Sequence, residues 1–97
     1  MITINMFDLA GSFAENKDKA KEIREDWILP ALRNGEAVVL DYGGVDSTTQ
    51  SFTHALISEA MRIYGFDVFF DKVTFKDCSE SVKKVISIVS EYMQRHL

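Results

Sequence analysis

Residues 37–40 have the sequence AVVL and are followed by DYGGVDSTT at residues 41–49; these two stretches determine the fold that the sequence predicts. Four consecutive apolar residues between polar ones are typical of a strand in the interior of a sheet, covered on both faces. A glycine pair then ends the strand, and hydroxyl residues that favour helix N-termini come after it. The stretch therefore predicts a buried strand, a loop and the beginning of a helix.

Three segments have the apolar spacing of amphipathic helices, near residues 14–33, 48–64 and 79–95. Pro30 lies inside the first segment and predicts a kink or a restart at Leu29, because proline has no N–H donor and disfavours helical geometry in the preceding residue. The expected buried stripe of the first helix comprises Ala20, Ile23, Trp27, Ile28 and Ala31. That of the last helix comprises Val82, Val85, Ile86, Val89, Tyr92 and Met93.

Strand patterns alternate with these helices. Ile2, Ile4 and Met6 alternate at period 2 within residues 2–9, and residues 73–75 have strand propensity. Residues 66–70 fit either a turn or part of a longer strand. The resulting order β-α-β-α-β-α predicts an α/β fold, a small sandwich with a mostly parallel central sheet and helices packed on it. A length of 97 residues predicts a single domain spanning 1–97.

Helix-capping residues are present before the second and third helices. Ser47 and Gln50 have capping-box spacing, although Thr48 or Thr49 fits the cap position equally well. Before the last helix, Asp77 and Ser79 are both suitable caps.

Composition excludes several classes of protein. Eleven basic and fifteen acidic residues give a net charge of −4, which argues against a nucleic-acid-binding module. No apolar stretch approaches the ~18 residues that a membrane span needs. Residues 1–5 lack a basic segment followed by a long apolar run, so we expect no signal peptide. The one cysteine, Cys78, cannot form an intramolecular disulfide, which fits a reducing cytoplasm.

Two catalytic arrangements can be tested on the residues. The loop at Gly43-Gly44 lies where a phosphate or small ligand could bind, but it has neither the lysine nor the glycine spacing of a P-loop. Ser51 and His54 share a helix face as a nucleophile and base would, but no third residue orients the imidazole. No metal site is expected, since the histidines and Cys78 lack the spacing of zinc ligands, and no cofactor is predicted.

Several motifs resemble one known family. They are Arg24-Glu25 followed by Pro30, the strand end Leu-Asp-x-x-Gly-Val at residues 40–45, Ser51-Phe52, and Ser-x-x-Val-Lys at residues 79–83. Together they resemble the STAS domain of anti-sigma factor antagonists and, more closely, the short STAS-like family of unknown function, over roughly residues 10–90. In classical members a serine at the start of the second helix is phosphorylated by a partner kinase that is also the anti-sigma factor.

The phosphorylated serine does not carry over by position. Counting from the strand end places it at Gln50, with Ser51 next, while the Asp-Ser dipeptide occurs earlier at Asp46-Ser47. The resemblance therefore implies phosphorylation candidates rather than one residue: Ser51, Thr49, Thr48 and Ser47. Members of the short family are often encoded beside ATP-binding proteins of the histidine-kinase type, which implies such a protein as the partner.

The function that we expect is a non-enzymatic regulatory interaction domain. Its predicted partner surface comprises the loop and the beginning of the second helix: Gly43, Gly44, Asp46, Thr49, Ser51 and His54. The predicted partner is an ATP-binding kinase or an anti-sigma-like protein, with self-association into a homodimer as a further option. The alternatives are a small-ligand or nucleotide-binding domain that uses the Gly43-Gly44 loop, or a hydrolase that uses Ser51 and His54.

Overall fold

The computed structural model describes residues 1–96; Leu97, the last residue of the predicted domain, lies outside the described residues. Five strands and six helices follow one another, with a π-helical turn between the second and third helices. In chain order they are β1 (Ile2–Asn5), α1 (Met6–Ala10), β2 (Phe13–Ala14), α2 (Lys17–Ile23), the π-turn (Arg24–Ile28), α3 (Leu29–Arg33), β3 (Val38–Asp41), β4 (Ser47–Thr48), α4 (Gln50–Tyr64), α5 (Phe66–Lys72), β5 (Val73–Lys76) and α6 (Glu80–His96).

The main sheet has three parallel strands in the order β1-β3-β5. Strand β3 is central, and Leu40 pairs in register with Ile4 on one side and Phe75 on the other. The predicted α/β fold with a mostly parallel sheet and helices packed on it is confirmed. Parallel neighbours need a crossover connection, and the helical segments between the strands supply it.

Only one face of this sheet is fully covered, so the expected burial of β3 on both faces is wrong. Val38 and Leu40 are completely buried, whereas Val39 points to the other face and is half-buried. Its neighbours in register are Thr3 and Thr74, which are both exposed. The apolar run AVVL does not distinguish the two faces, because the polar character of the second face comes from the adjacent strands.

The π-turn changes the orientation of the first long helical segment. The Leu29 N–H donates to the Arg24 carbonyl, five residues back, directly before Pro30. A π-turn accommodates an additional residue and so shifts the helical phase of the residues after it. Ala20, Ile23, Ile28 and Ala31 are buried as predicted, but Trp27 is 50% exposed and does not belong to the stripe.

Two segments near the strand ends are helical instead of extended. The strand expected over residues 2–9 ends at Asn5, whose side chain accepts a hydrogen bond from the Asp8 N–H at 3.0 Å and so caps α1. Residues 66–70 form neither a turn nor a strand but most of α5. The Phe69 N–H donates to the Gly65 carbonyl at 3.0 Å, and the Phe69 side chain is fully buried.

Helix α6 closes the structure with an amphipathic face. Val82, Ile86, Val89 and Met93 are buried as predicted, whereas Tyr92 is 54% exposed and lies outside the buried stripe. Of the two expected caps, Ser79 accepts the bond, from the Val82 N–H at 3.1 Å. Within residues 1–96, no helix combines the length and the apolar character that crossing a membrane requires.

The unequal faces of β3 predict unequal mutational effects. Leu40→Ala should lower the free energy of unfolding by about 2–5 kcal/mol, because it leaves a cavity in the core. Val39→Thr should change it by less than about 1 kcal/mol, because the hydroxyl joins a face that already carries Thr3 and Thr74. Urea unfolding of both variants checks this, and equal losses would contradict a sheet with one covered face.

Candidate functional site

A second, very short sheet precedes α4. Strands β2 and β4 are parallel, with Phe13 opposite Ser47 and Ala14 opposite Thr48. The buried Thr48 hydroxyl donates to the Ala14 carbonyl at 2.7 Å, and the Thr49 N–H donates to the same carbonyl at 3.1 Å. These bonds hold residues 47–49 in an extended conformation.

Helix α4 consequently begins after Thr49. The Thr49 hydroxyl accepts a hydrogen bond from the Phe52 N–H at 3.0 Å, so Thr49 is the cap. The Ser47–Gln50 capping box is wrong, because Ser47 belongs to β4 and lies two residues before the cap. Gln50 and Ser51 are the first two residues of the helix, and both are exposed.

The loop after β3 uses its backbone amides internally. The Gly43 N–H donates to the Asp41 carboxylate at 2.9 Å, and the Val45 N–H donates to the Tyr42 carbonyl at 2.9 Å. The Asp46 N–H donates to the Ser12 carbonyl at 2.8 Å. A phosphate cradle needs free amides that point at the ligand, and here a carboxylate already occupies one of them. This geometry does not favour the nucleotide-binding alternative.

The predicted site residues of this loop have structural contacts of their own. Gly44 has φ +89°, and a Cβ there would lie 3.1 Å from the Phe7 ring, so the position requires glycine. A Cβ on Gly43 would lie 3.2 Å from an Asp41 carboxylate oxygen. The carbonyl of Asp46 accepts a hydrogen bond from the Ser79 hydroxyl at 2.9 Å, which joins the loop to the beginning of α6.

An open cavity of about 420 Å³ lies beside the first turns of α4, and we call it the α4–α6 groove. It brings together the predicted Ser51 and His54 but does not include Gly43, Gly44 or Asp46. Its lining residues are Lys17, Gln50, Ser51, His54, Ala55, Ile88, Val89 and Tyr92.

One wall of the groove is aromatic and apolar. The His54 and Tyr92 rings meet edge to face at a centroid distance of 6.2 Å, and the His96 ring lies 4.3 Å from the Tyr92 ring, centroid to centroid. Ile88 is 39% exposed in the same wall. Within residues 1–96 no hydrogen bond joins Ser51 to His54, so the geometry does not favour the hydrolase alternative.

Sequence reasoning missed Lys17, Ile88 and the exposed position of Tyr92. The sequence did contain a signal for the two α6 residues. Ile88 lies outside the stripe that Val82, Ile86 and Val89 form. Tyr92 follows Ile88 by four residues, so the two share a helix face. Two apolar side chains beside a complete buried stripe indicate a second, exposed face. Lys17 carried no such signal, because its position depends on how α2 packs against α4.

Cys78 lies in a separate cavity, lined by Phe75, Asp77, Cys78, Lys83, Ile86 and Ser87. Burial raises the pKa of its thiol; Lys83 opposes this rise, while Asp77 and Asp41 add to it. The thiol is therefore protonated at neutral pH and is a poor nucleophile. In the part of the chain that the structure describes, no three His, Cys, Asp or Glu side chains are grouped so that they could hold a metal ion.

A protein-family model matches most of the chain. The model described as a STAS-like domain of unknown function matches residues 19–83, from α2 through the first turn of α6. The chain belongs to this STAS-like family. No curated protein and no solved structure matches it. The family match includes Ser51 and His54 of the STAS-like domain, whereas Lys17, Ile88 and Tyr92 lie outside the matched residues.

The environment of Cys78 predicts slow alkylation. At pH 8, iodoacetamide should modify the folded STAS-like domain more slowly than the chain in concentrated urea, because the raised pKa leaves less thiolate. Lys83→Gln should slow the reaction further and Asp77→Asn should accelerate it, since each changes the pKa in the stated direction. Mass spectrometry of timed samples measures the rates, and equal rates for the folded and unfolded chain would contradict this assignment.

Proposed function

We propose that this STAS-like domain is a non-enzymatic regulatory module that binds a protein partner through the α4–α6 groove. The observation that carries the proposal is the exposure of Ile88 and Tyr92 beside Ser51 and His54. Exposed aromatic and aliphatic side chains in a concave surface are typical anchors of protein interfaces. The internal hydrogen bonding of the glycine loop does not favour nucleotide binding, and the lack of a hydrogen bond between Ser51 and His54 in the described part of the chain does not favour a hydrolase.

The proposed partner is an ATP-binding protein of the histidine-kinase type. Its class comes from the resemblance to the STAS-like family, and the groove supports a protein ligand by its open shape and mixed lining. Gly43, Gly44 and Asp46 are exposed before α4 but do not line the groove. They stay a predicted extension of the partner surface.

Ser51 is the hydroxyl that we propose for a phosphorylation switch. Thr48 is buried and donates to Ala14, Thr49 caps α4, and Ser47 is half-buried in β4. Ser51 is exposed in the first turn of α4 and lines the groove. Phosphate adds a charge of about −1.5 to −2 at neutral pH, which a helix N-terminus tolerates. The modification would therefore change partner binding rather than the fold.

Ser51→Glu should weaken partner binding at least tenfold without lowering the melting temperature, because the new carboxylate lies in the groove at a favourable helix position. Ser81→Glu is the matched control: Ser81 is also an exposed second residue of a helix, α6, but it is outside the groove. The partner is first isolated with the tagged wild-type chain from its native cell. Dissociation constants are then measured with the purified pair.

Tyr92→Ala should also weaken this complex at least tenfold, since it removes the aromatic wall of the groove. If both Ser51→Glu and Tyr92→Ala bind as tightly as the wild type, the groove is not the interface. The switch is tested separately by the intact mass of the chain after incubation with the purified partner and ATP. A single unmodified species, both there and in protein from the native cell, would contradict phosphorylation.

A further inference from the structure

The α4–α6 groove differs in charge from the chain around it. The chain contains fifteen Asp and Glu residues and has a net charge of −4. None of these carboxylates is among the residues that line the groove, whereas Lys17 is. The described lining of the groove thus contains a cation, Lys17, and no carboxylate. In an acidic protein this contrast favours a partner segment of negative charge.

Backbone charge adds to this local field. Helix α4 has no acidic residue in its first turn, so the positive end of its dipole, at Gln50 and Ser51, is not offset there. Lys17 is the first residue of α2, where the helix dipole disfavours a cation. Among residues 1–96 it makes no ion pair. Local stability thus gives no reason for a lysine at this position.

We infer that the groove receives a partner segment that carries Asp or Glu side chains together with a large apolar side chain. This inference rests on the proposed function and specifies the chemistry of the partner. The carboxylates would meet Lys17 and the N-terminus of α4, and the apolar side chain would cover Ile88 and Tyr92. A phosphate on Ser51 would then repel the same carboxylates, which gives the proposed switch a physical cause.

The test begins with a random dodecapeptide library displayed on phage and selected against the full-length chain. The selected peptides should contain an excess of Asp and Glu over the unselected library, with at least one Leu, Phe or Trp. Synthetic, fluorescently labelled copies of the strongest peptides are then titrated with the chain, and anisotropy gives the dissociation constants. No enrichment, or enrichment without acidic residues, would overturn the inference.

Three variants locate the binding. Lys17→Glu should weaken the peptides at least tenfold, and it should leave the fold intact because the helix dipole favours Glu at that position. Lys19→Glu makes the same charge change outside the groove, where Lys19 pairs with Glu22 at 3.2 Å, and should change affinity less than twofold. Tyr92→Ala should weaken the peptides at least tenfold, which places them in the groove.

The outcomes separate this inference from the proposed function. If Tyr92→Ala weakens binding of the peptides and of the native partner while Lys17→Glu changes neither, the groove is the interface but acidic recognition is wrong. If the peptides respond to Lys17→Glu and Tyr92→Ala but the native partner responds to neither Tyr92→Ala nor Ser51→Glu, the groove has the inferred chemistry and the proposed partner surface is wrong. Equal effects of Lys17→Glu and Lys19→Glu would mean that peptide affinity depends only on the net charge of the chain, and this result would overturn the inference.

Discussion

The hydrogen bonds between residues 12–14 and residues 46–49 determine where α4 begins, and the candidate site depends on that beginning. The backbone N–H groups of Asp46 and Ser47 donate to the Ser12 carbonyl. The Thr48 hydroxyl and the Thr49 N–H donate to the Ala14 carbonyl. Because Thr48 is held extended, Thr49 becomes the cap and Ser51 lies in the first helical turn. A helix that began at Ser47 would place Ser51 in its second turn, farther from the positive helix end. The short β2–β4 sheet thus determines where the positive end of the α4 dipole lies, at Gln50 and Ser51 in the lining of the groove.

Local sequence signals were enough to predict the main sheet and the long helices. Strand β3 and the buried stripe of α6 each depend on the order of apolar residues within one segment. The periodicity of apolar residues is the strongest secondary-structure signal that a sequence contains. Strands β2 and β4 contain two residues each, and the residues that they bring together are 34 positions apart in the sequence. No pattern within either segment reveals such a pairing, because each strand depends on the other for its hydrogen bonds.

Each of the wrong predictions has a physical cause that the apolar pattern of one segment does not contain. Val39 is apolar, but its neighbours on the same sheet face are Thr3 and Thr74, from the strands on either side. Because both neighbours are polar, this face of the sheet is not covered. Trp27 has helical spacing, but the π-turn shifts its phase away from the core. Helix α5 replaces an expected turn or strand because Phe69 is buried one turn after Gly65.

The candidate site was also predictable only in part from the sequence. Ser51 and His54 were predicted because they lie three residues apart on one helix, whereas the groove also needs α2 and α6. Lys17 and the exposed pair on α6 lie outside residues 19–83, so the family match does not extend to them, whereas it includes Ser51 and His54. Under the proposed function, a partner that contacts Lys17, Ile88 and Tyr92 would bind this domain more tightly than a domain of the same fold without these side chains, because specificity comes from contacts that the competitor lacks.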